Sequence, residues 1–163
     1  MGIVTKRGDK GKTSLCGCTG CSKDDPRVDA YGAVDELNSA IGVALNSCSN
    51  ESMEVLELVQ NQLFVVGAVI AGSEKHSVDD THIIYLENEI KKAEDALPLQ
   101  NGFILPKGKG AALHLARTIC RRAERRAVAS KQSENVLAYL NRLSDLLFIL
   151  ARKESGKDEE VKY

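Results

Sequence analysis

The sequence predicts an all-α fold: five helices in a bundle with an up-and-down, four-helix-bundle-like core. Three observations predict it. Apolar residues recur in steps of three and four for several turns in four of five separate segments. The composition is rich in Leu, Ala, Val, Glu and Lys but only 4% aromatic, with no Trp, which favours helices packed through aliphatic seams over a β-sandwich. Short stretches of Gly, Pro and polar residues separate the segments, and no run alternates convincingly as a strand. A chain of 163 residues is enough for one domain with one core.

Each element has its own signals. Residues 1–23 are Gly-rich, basic and without helical period, so they read as a loop. Asp24 or Asp25 is a suitable N-cap and Pro26 suits the first helical position. The helix that follows runs to about Leu45, with Val28, Tyr31, Val34, Leu37, Ile41 and Leu45 as its apolar stripe. A second helix covers about 53–71 through Leu56, Val59, Leu63, Val66 and Ile70. A third covers about 81–96 through Ile83, Leu86, Ile90 and Ala93. The Gly- and Pro-punctuated stretch NGFILPKGKG leads to a fourth helix at about 111–130. The fifth, at about 134–153, carries Val136, Leu140, Leu143, Leu147 and Leu150 on one side. Sustained three-four spacing is the pattern of antiparallel helices packed at shallow angles. Residues 154–163 read as a frayed tail.

Bulk charge excludes some functions. Twenty-two Lys and Arg stand against 23 Asp and Glu, a net charge of −1, so there is no global basic field for nucleic acid. No apolar run approaches a membrane span and no secretory signal leads the chain, so a cytoplasmic protein is expected. The five cysteines are then expected as free thiols. Cys16, Cys18 and Cys21 form C-x-C-x2-C, either small residues of a glycine-rich turn or thiolates for zinc or an iron–sulfur centre.

Phosphate chemistry is concentrated in two places. The segment TKRGDKGKTS, Thr5 to Ser14, offers two glycines, four cations and three hydroxyls. Glycine lets backbone N–H groups approach an anion, hydroxyls donate to phosphate oxygens, and Lys adds point charge. It is not a P-loop: Lys6 stands where the first glycine is required, and neither a core strand precedes it nor a helix follows. The second place is the fourth helix. Arg117, Arg121 and Arg125 are four apart and share a ridge, with Glu124 on the same flank as Arg117 and Arg121. Arg122 and Arg126 lie on the other side. Asp35 and Asn141 flank the apolar seams of their own helices. Each of these alone also fits a solvated or cross-linking structural role.

Together the segments TKRGDKGKTSL, SKDDPRVDAYGAVDELNSAIG, GFILP, LHLARTICRRAERR and YLNRLSDLLFILAR resemble the PduO-type ATP:corrinoid adenosyltransferases. The resemblance runs from residue 5 to about 152. It implies a homotrimer with ATP between subunits, wrapped by the N-terminal segment of one chain and completed by the Arg-rich helix of its neighbour. The implied ATP contacts are Thr5, Lys6, Arg7, Gly8, Thr13, Ser14 and Lys23, with Arg121, Arg122, Glu124, Arg125 and Asn141. Arg7 stands where the family varies, which leaves its backbone as the contact. Arg117 and Asp35 match an ion pair across the subunit interface, and Phe103 matches the aromatic residue that blocks the lower axial face of the corrin. The reaction implied is transfer of the 5′-deoxyadenosyl group of ATP, with Mg²⁺, to the Co(I) of a reduced cobalamin. A corrinoid reductase and an adenosylcobalamin-dependent enzyme are the transient partners implied. Two other readings stay open at this point: a bundle that carries ATP or corrinoid without catalysis, and an Arg-helix RNA binder. The chain departs from the family pattern at Cys16 to Cys21 and in the lysine-bearing loop after Phe103.

Overall fold

The computed structural model describes residues 2–100 and 102–162, so Met1, Asn101 and Tyr163 lie outside the described residues. Among the described residues five helices make up most of the chain: α1 (Pro26–Leu45), α2 (Asn50–Ile70), α3 (Asp80–Asp95), α4 (Ala111–Ala129) and α5 (Glu134–Ser155). A 3-10 turn, Gly108–Gly110, leads into α4. The expected helices are all present, with ends that coincide or shift by at most three residues.

Local chemistry sets those ends. Asp25 Oδ1 accepts from Arg27 N at 2.8 Å and Pro26 takes the first helical position of α1. Asp79 and His82 form a reciprocal capping box on α3. Gly156, at φ 69°, closes α5 in the left-handed conformation that glycine tolerates.

The pairing of side chains gives the topology. Tyr31 packs against Gly67, and Asn38 and Gln60 exchange hydrogen bonds with each other's carbonyls, so α2 runs antiparallel to α1. Asp29 meets Arg126 and Glu36 meets Arg122, so α4 is antiparallel to α1. Cys120 Sγ donates to Leu140 O, and Gly110 abuts Ala151, so α5 is antiparallel to α4. The buried Tyr139 of α5 donates to Gln62 of α2 at 2.9 Å and closes the fourth side. α3 lies along the outer face of α5, where Arg142 meets Glu87.

The core is aliphatic. Leu37 and Ile41, Leu56 and Leu63, Leu113, and Leu140, Leu143 and Leu147 are sealed from solvent. Between α1 and α4 the seam is mostly alanine (Ala30, Ala33, Ala116, Ala123, Ala127), and such small side chains let two helices approach closely. α2 is long and apolar enough to cross a membrane by length and composition, which corrects the expectation that no run approaches a span. Its Leu56, Val59, Leu63, Val66 and Ile70 stripe is nevertheless buried in the core.

The N-terminal segment departs from its expected loop. Residues Lys12–Leu15 (β1) and Cys18–Ser22 (β2) form a two-stranded antiparallel hairpin, pairing Thr13 with Cys21 and Leu15 with Cys18. The register is irregular between Thr13 and Leu15. Strands of four and five residues, mostly polar and broken by Gly20, carry too little alternation to be legible. The turn docks on α2: Gly17 N donates to Ala71 O at 3.0 Å, and a Cβ on Gly72 would lie 3.2 Å from Gly17 Cα. Cys18 and Cys21 are joined by a disulfide, whereas Cys16, Cys48 and Cys120 are free. This corrects the expectation of free thiols at that pair. Gly20, at φ 72°, turns the strand so that the two Cα atoms lie 5.9 Å apart, within bridging reach.

Residues 156–162, expected to fray, bond to the segment carrying Phe103. Val161 N donates to Phe103 O at 2.9 Å and Leu105 N to Glu159 O at 2.8 Å. The guanidinium of the buried Arg152 donates to Asp158 at 2.7 and 3.0 Å and to Pro98 O at 2.8 Å.

Candidate functional site

Two clefts open on either side of α1. The first, of about 550 Å³, lies between the hairpin, α1 and α2. Thr13, Ser14 and Cys16 line it from the hairpin, Tyr31, Asp35 and Asn38 from α1, and Phe64 from α2. The second, of about 480 Å³, lies between α1 and α4. Lys23, Asp29, Glu36, Arg122 and Arg126 line it.

The N-terminal residues sort between these clefts. Thr13 and Ser14 face the first beside Asp35. Ser14 Oγ accepts from Gly20 N at 3.4 Å, which leaves its hydroxyl hydrogen available. Lys23 faces the second cleft beside Arg122, and Gly8 packs against it: a Cβ there would lie 3.2 Å from Lys23 Nζ. Thr5, Lys6 and Arg7 are exposed on the approach to the hairpin. Lys6 has φ 57° and its carbonyl accepts from Asp9 N, while Gly11, at φ 74°, closes the turn through Lys23 N to Gly11 O at 2.9 Å.

The arginine helix has two flanks of different character. Arg122 pairs with Glu36 and Arg126 with Asp29, so the α1-facing flank is neutralised. Among the described residues, no carboxylate pairs with Arg117, Arg121 or Arg125, nor with Lys6, Arg7 or Lys23. Arg125 Nη1 instead donates to Arg121 O at 3.0 Å. Beside this free flank Asn141 Nδ2 donates to Glu124 at 3.1 Å, and Arg142 Nη1 donates to Asn141 Oδ1 at 3.0 Å. Desolvation pushes the Asp145 carboxyl up, Arg142 and Arg121 pull it down, and Glu124 raises it, so these groups form one electrostatic cluster.

Asp35 and Arg117 do not meet within one chain. Asp35 is exposed in the first cleft. Arg117 lies on α4 with its guanidinium 5.9 Å from the Phe148 ring centre, and its buried Nε has no hydrogen-bond partner. His114, one turn earlier, is 3% exposed, has an unpartnered Nδ1 and stacks at a tilt on the same ring. Burial lowers its pKa first, and the Arg117 charge lowers it further. Phe103 is 74% exposed beside the C-terminal segment.

Sequence reasoning missed several of these partners. Asp29 and Glu36 are seven apart, two helical turns, and so share the face of α1 that meets Arg126 and Arg122. That spacing was available as a signal. Tyr31 reads as part of the apolar stripe of its helix, and only the fold shows that it and Phe64 border a cleft and that Phe148 lies beside Arg117. With two of three sulfurs bonded, Cys16, Cys18 and Cys21 do not supply three thiolates. Among the described residues no three His, Cys, Asp or Glu side chains group as a metal site.

Fold and site together define a class: a helical bundle that, among the described residues, carries hydroxyl donors and cations without carboxylate partners on two separate faces. The sequence matches the family described as "Cobalamin adenosyltransferase" over residues 3–154, and the chain belongs to that family. It is 42% identical to the corrinoid adenosyltransferase of Bacillus subtilis, over 93% of this chain and 86% of that protein. It is 40% identical to the corrinoid adenosyltransferase PduO of Citrobacter freundii, over 94% of this chain but only 50% of that protein. A solved variant of a PduO-type ATP:corrinoid adenosyltransferase from Lactobacillus reuteri, complexed with cobalamin and ATP, superposes with a TM-score of 0.91. That match covers 99% of this chain and 100% of the other at 36% identity.

Proposed function

We propose that the chain is an ATP:corrinoid adenosyltransferase, a single-domain enzyme over 1–163 that works as a homotrimer. It transfers the 5′-deoxyadenosyl group of ATP to the Co(I) of a reduced corrinoid. One observation carries the reading. Among the described residues the hairpin hydroxyls and the free arginine flank are both present, yet line no common cleft within a chain whose relatives at 40–42% identity are corrinoid adenosyltransferases. A site shared between subunits brings the two halves together and gives the buried Arg117 Nε an anionic neighbour, Asp35 of the next chain.

The chemistry follows from the substrates. Co(I) attacks C5′ of ATP, the Co–C bond forms, the C5′–O bond breaks, and the electron pair leaves with triphosphate. The nucleophile carries no proton, so no general base is needed. The leaving group is highly anionic, and fixed positive charge lowers the barrier to its departure. Thr5, Lys6, the Arg7 backbone, Gly8, Thr13, Ser14 and Lys23 wrap the triphosphate from one chain. Arg121, Arg122, Glu124, Arg125 and Asn141 complete the site, with Glu36 fixing the rotamer of Arg122 and Asn141 that of Glu124. Mg²⁺ accompanies ATP. Bound with the nucleotide, it would offset charge on the triphosphate.

Phe103 covers the lower axial face of the corrin and excludes a lower ligand, which eases reduction to Co(I). A corrinoid reductase supplies the electron, and an adenosylcobalamin-dependent enzyme in the cytoplasm takes the product. The test is to incubate the protein with ATP, Mg²⁺ and chemically reduced cobalamin, following the visible spectrum and triphosphate release. Stoichiometric triphosphate and alkylcobalamin support the reading. Corrinoid or ATP binding without turnover leaves a carrier module instead.

A further inference from the structure

The hairpin that presents Thr13 and Ser14 contains a feature the reaction does not use: the Cys18–Cys21 disulfide, with the free and exposed Cys16 beside it. A ring closed across three residues restrains little of the unfolded chain, so this bond is a weak global staple. Its local effect is larger. Cys21 is register partner of Thr13 and Cys18 of Leu15, so the bond fixes the strand facing the irregular stretch that holds Ser14. Gly20, inside the ring, donates its N–H to Ser14 Oγ at 3.4 Å. The disulfide therefore holds in place the group that orients the Ser14 hydroxyl. Cys21 Sγ also lies 3.2 Å from Cys18 O, so as a thiol it has an acceptor in place.

We propose that Cys18 and Cys21 form a reversible dithiol–disulfide couple that tunes how tightly the hairpin holds ATP. The coupling rests on the adenosyltransferase reading. The co-reactant is a small or protein dithiol. Its thiolate attacks Cys18 Sγ, which is more accessible than the buried Cys21, and the S–S bond breaks with Cys21 leaving as thiolate. The second thiol of the co-reactant resolves the mixed disulfide. The protein gains two electrons and two protons, and the co-reactant leaves as a disulfide. In the oxidised state Ser14 is pre-oriented for phosphate. In the reduced state residues 18–21 regain freedom, and ordering them on binding costs affinity.

The experiment uses the full chain in both states, without corrinoid. Free thiols are counted under denaturing conditions, and ATP affinity is measured by calorimetry before and after treatment with dithiothreitol. The expected result is three thiols rising to five on reduction. ATP affinity falls roughly three- to tenfold, the range of one neutral hydrogen bond. A Cys18→Ser/Cys21→Ser variant shows the reduced affinity with or without reductant, and Cys48→Ser, at a free cysteine away from the clefts, keeps the response. Five thiols in protein purified in air and left unreduced would overturn the couple. Equal ATP affinity in the two states would overturn its coupling to the site. No ATP affinity in either state would overturn the adenosyltransferase reading and the coupling with it, while the thiol count still decides whether the pair cycles.

Discussion

Gly110 sits where α4 begins, pressed against the last turns of α5, and its replacement by alanine tests how α4 is seated. A Cβ there would fall 2.8 Å from the Ala151 carbonyl carbon and 2.5 Å from Ser155 Oγ, and closer still to Ala151 O. The serine can rotate away, but the α5 backbone cannot. Gly110 lies at φ −77°, ψ −5°, which alanine adopts freely, so the cost is overlap and not backbone strain. Forcing one methyl into such a contact costs ~1–3 kcal/mol, offset by ~0.4–1 kcal/mol from a less flexible unfolded chain. Overlap with backbone this close puts the cost at the upper end, so the net loss is about 2 kcal/mol, or roughly 4–8 °C in Tm for a chain of this size. Gly32→Ala is the control. Gly32 is exposed within α1 with nothing within 4 Å of its virtual Cβ, so alanine stabilises by up to ~1 kcal/mol. Thermal and urea unfolding at one fixed protein concentration reads both. A Gly110→Ala protein as stable as the parent would refute the close seating of α4 on α5.

Other consequences are equally specific. Phe103→Ala is expected to cut adenosylation far more than ATP binding if Phe103 has the corrin-side role proposed for it, and equal losses would refute that role. Asp158→Ala leaves the buried Arg152 guanidinium without its carboxylate and costs roughly 3 kcal/mol, measured by urea unfolding. Hydrogen bonds from Thr81 and then His82 hold the Asp79 carboxyl down at about 2, below its ordinary 3.8. A depressed folded pKa means that the stabilisation is fully present above about pH 4 and is lost as pH falls towards 2. The stability gap between the parent and Asp79→Ala should therefore shrink over that window and stay flat above it.

Helix number and sides were legible because the core is aliphatic and regular. Leu37 and Ile41, or Leu140, Leu143 and Leu147, sit where three-four spacing puts them, and all are buried. The two flanks of the arginine helix were legible for the same reason: 100° per residue separates Arg121 and Arg125 from Arg122 and Arg126. The hairpin was not legible. Its pairing depends on docking Gly17 against Gly72 and Ala71, some 55 residues away, and no local pattern encodes that contact. The anchoring of residues 156–162 escaped for a similar reason. It rests on Arg152, which looks like a surface charge near a helix end until Pro98 and Asp158 close over it.

In the proposed shared site the hairpin of one chain and the arginine helix of another together hold the triphosphate for adenosyl transfer. This arrangement is tested most directly by co-expressing two variants that are inactive alone, Thr13→Ala/Ser14→Ala and Arg121→Ala/Arg125→Ala, and measuring adenosylcobalamin formation by the mixed protein. In randomly mixed trimers about a quarter of shared sites receive an intact hairpin and an intact arginine helix, so about a quarter of parental activity should return. No recovery, from mixed trimers confirmed by mass, would place both halves of the site in a single chain and contradict the account.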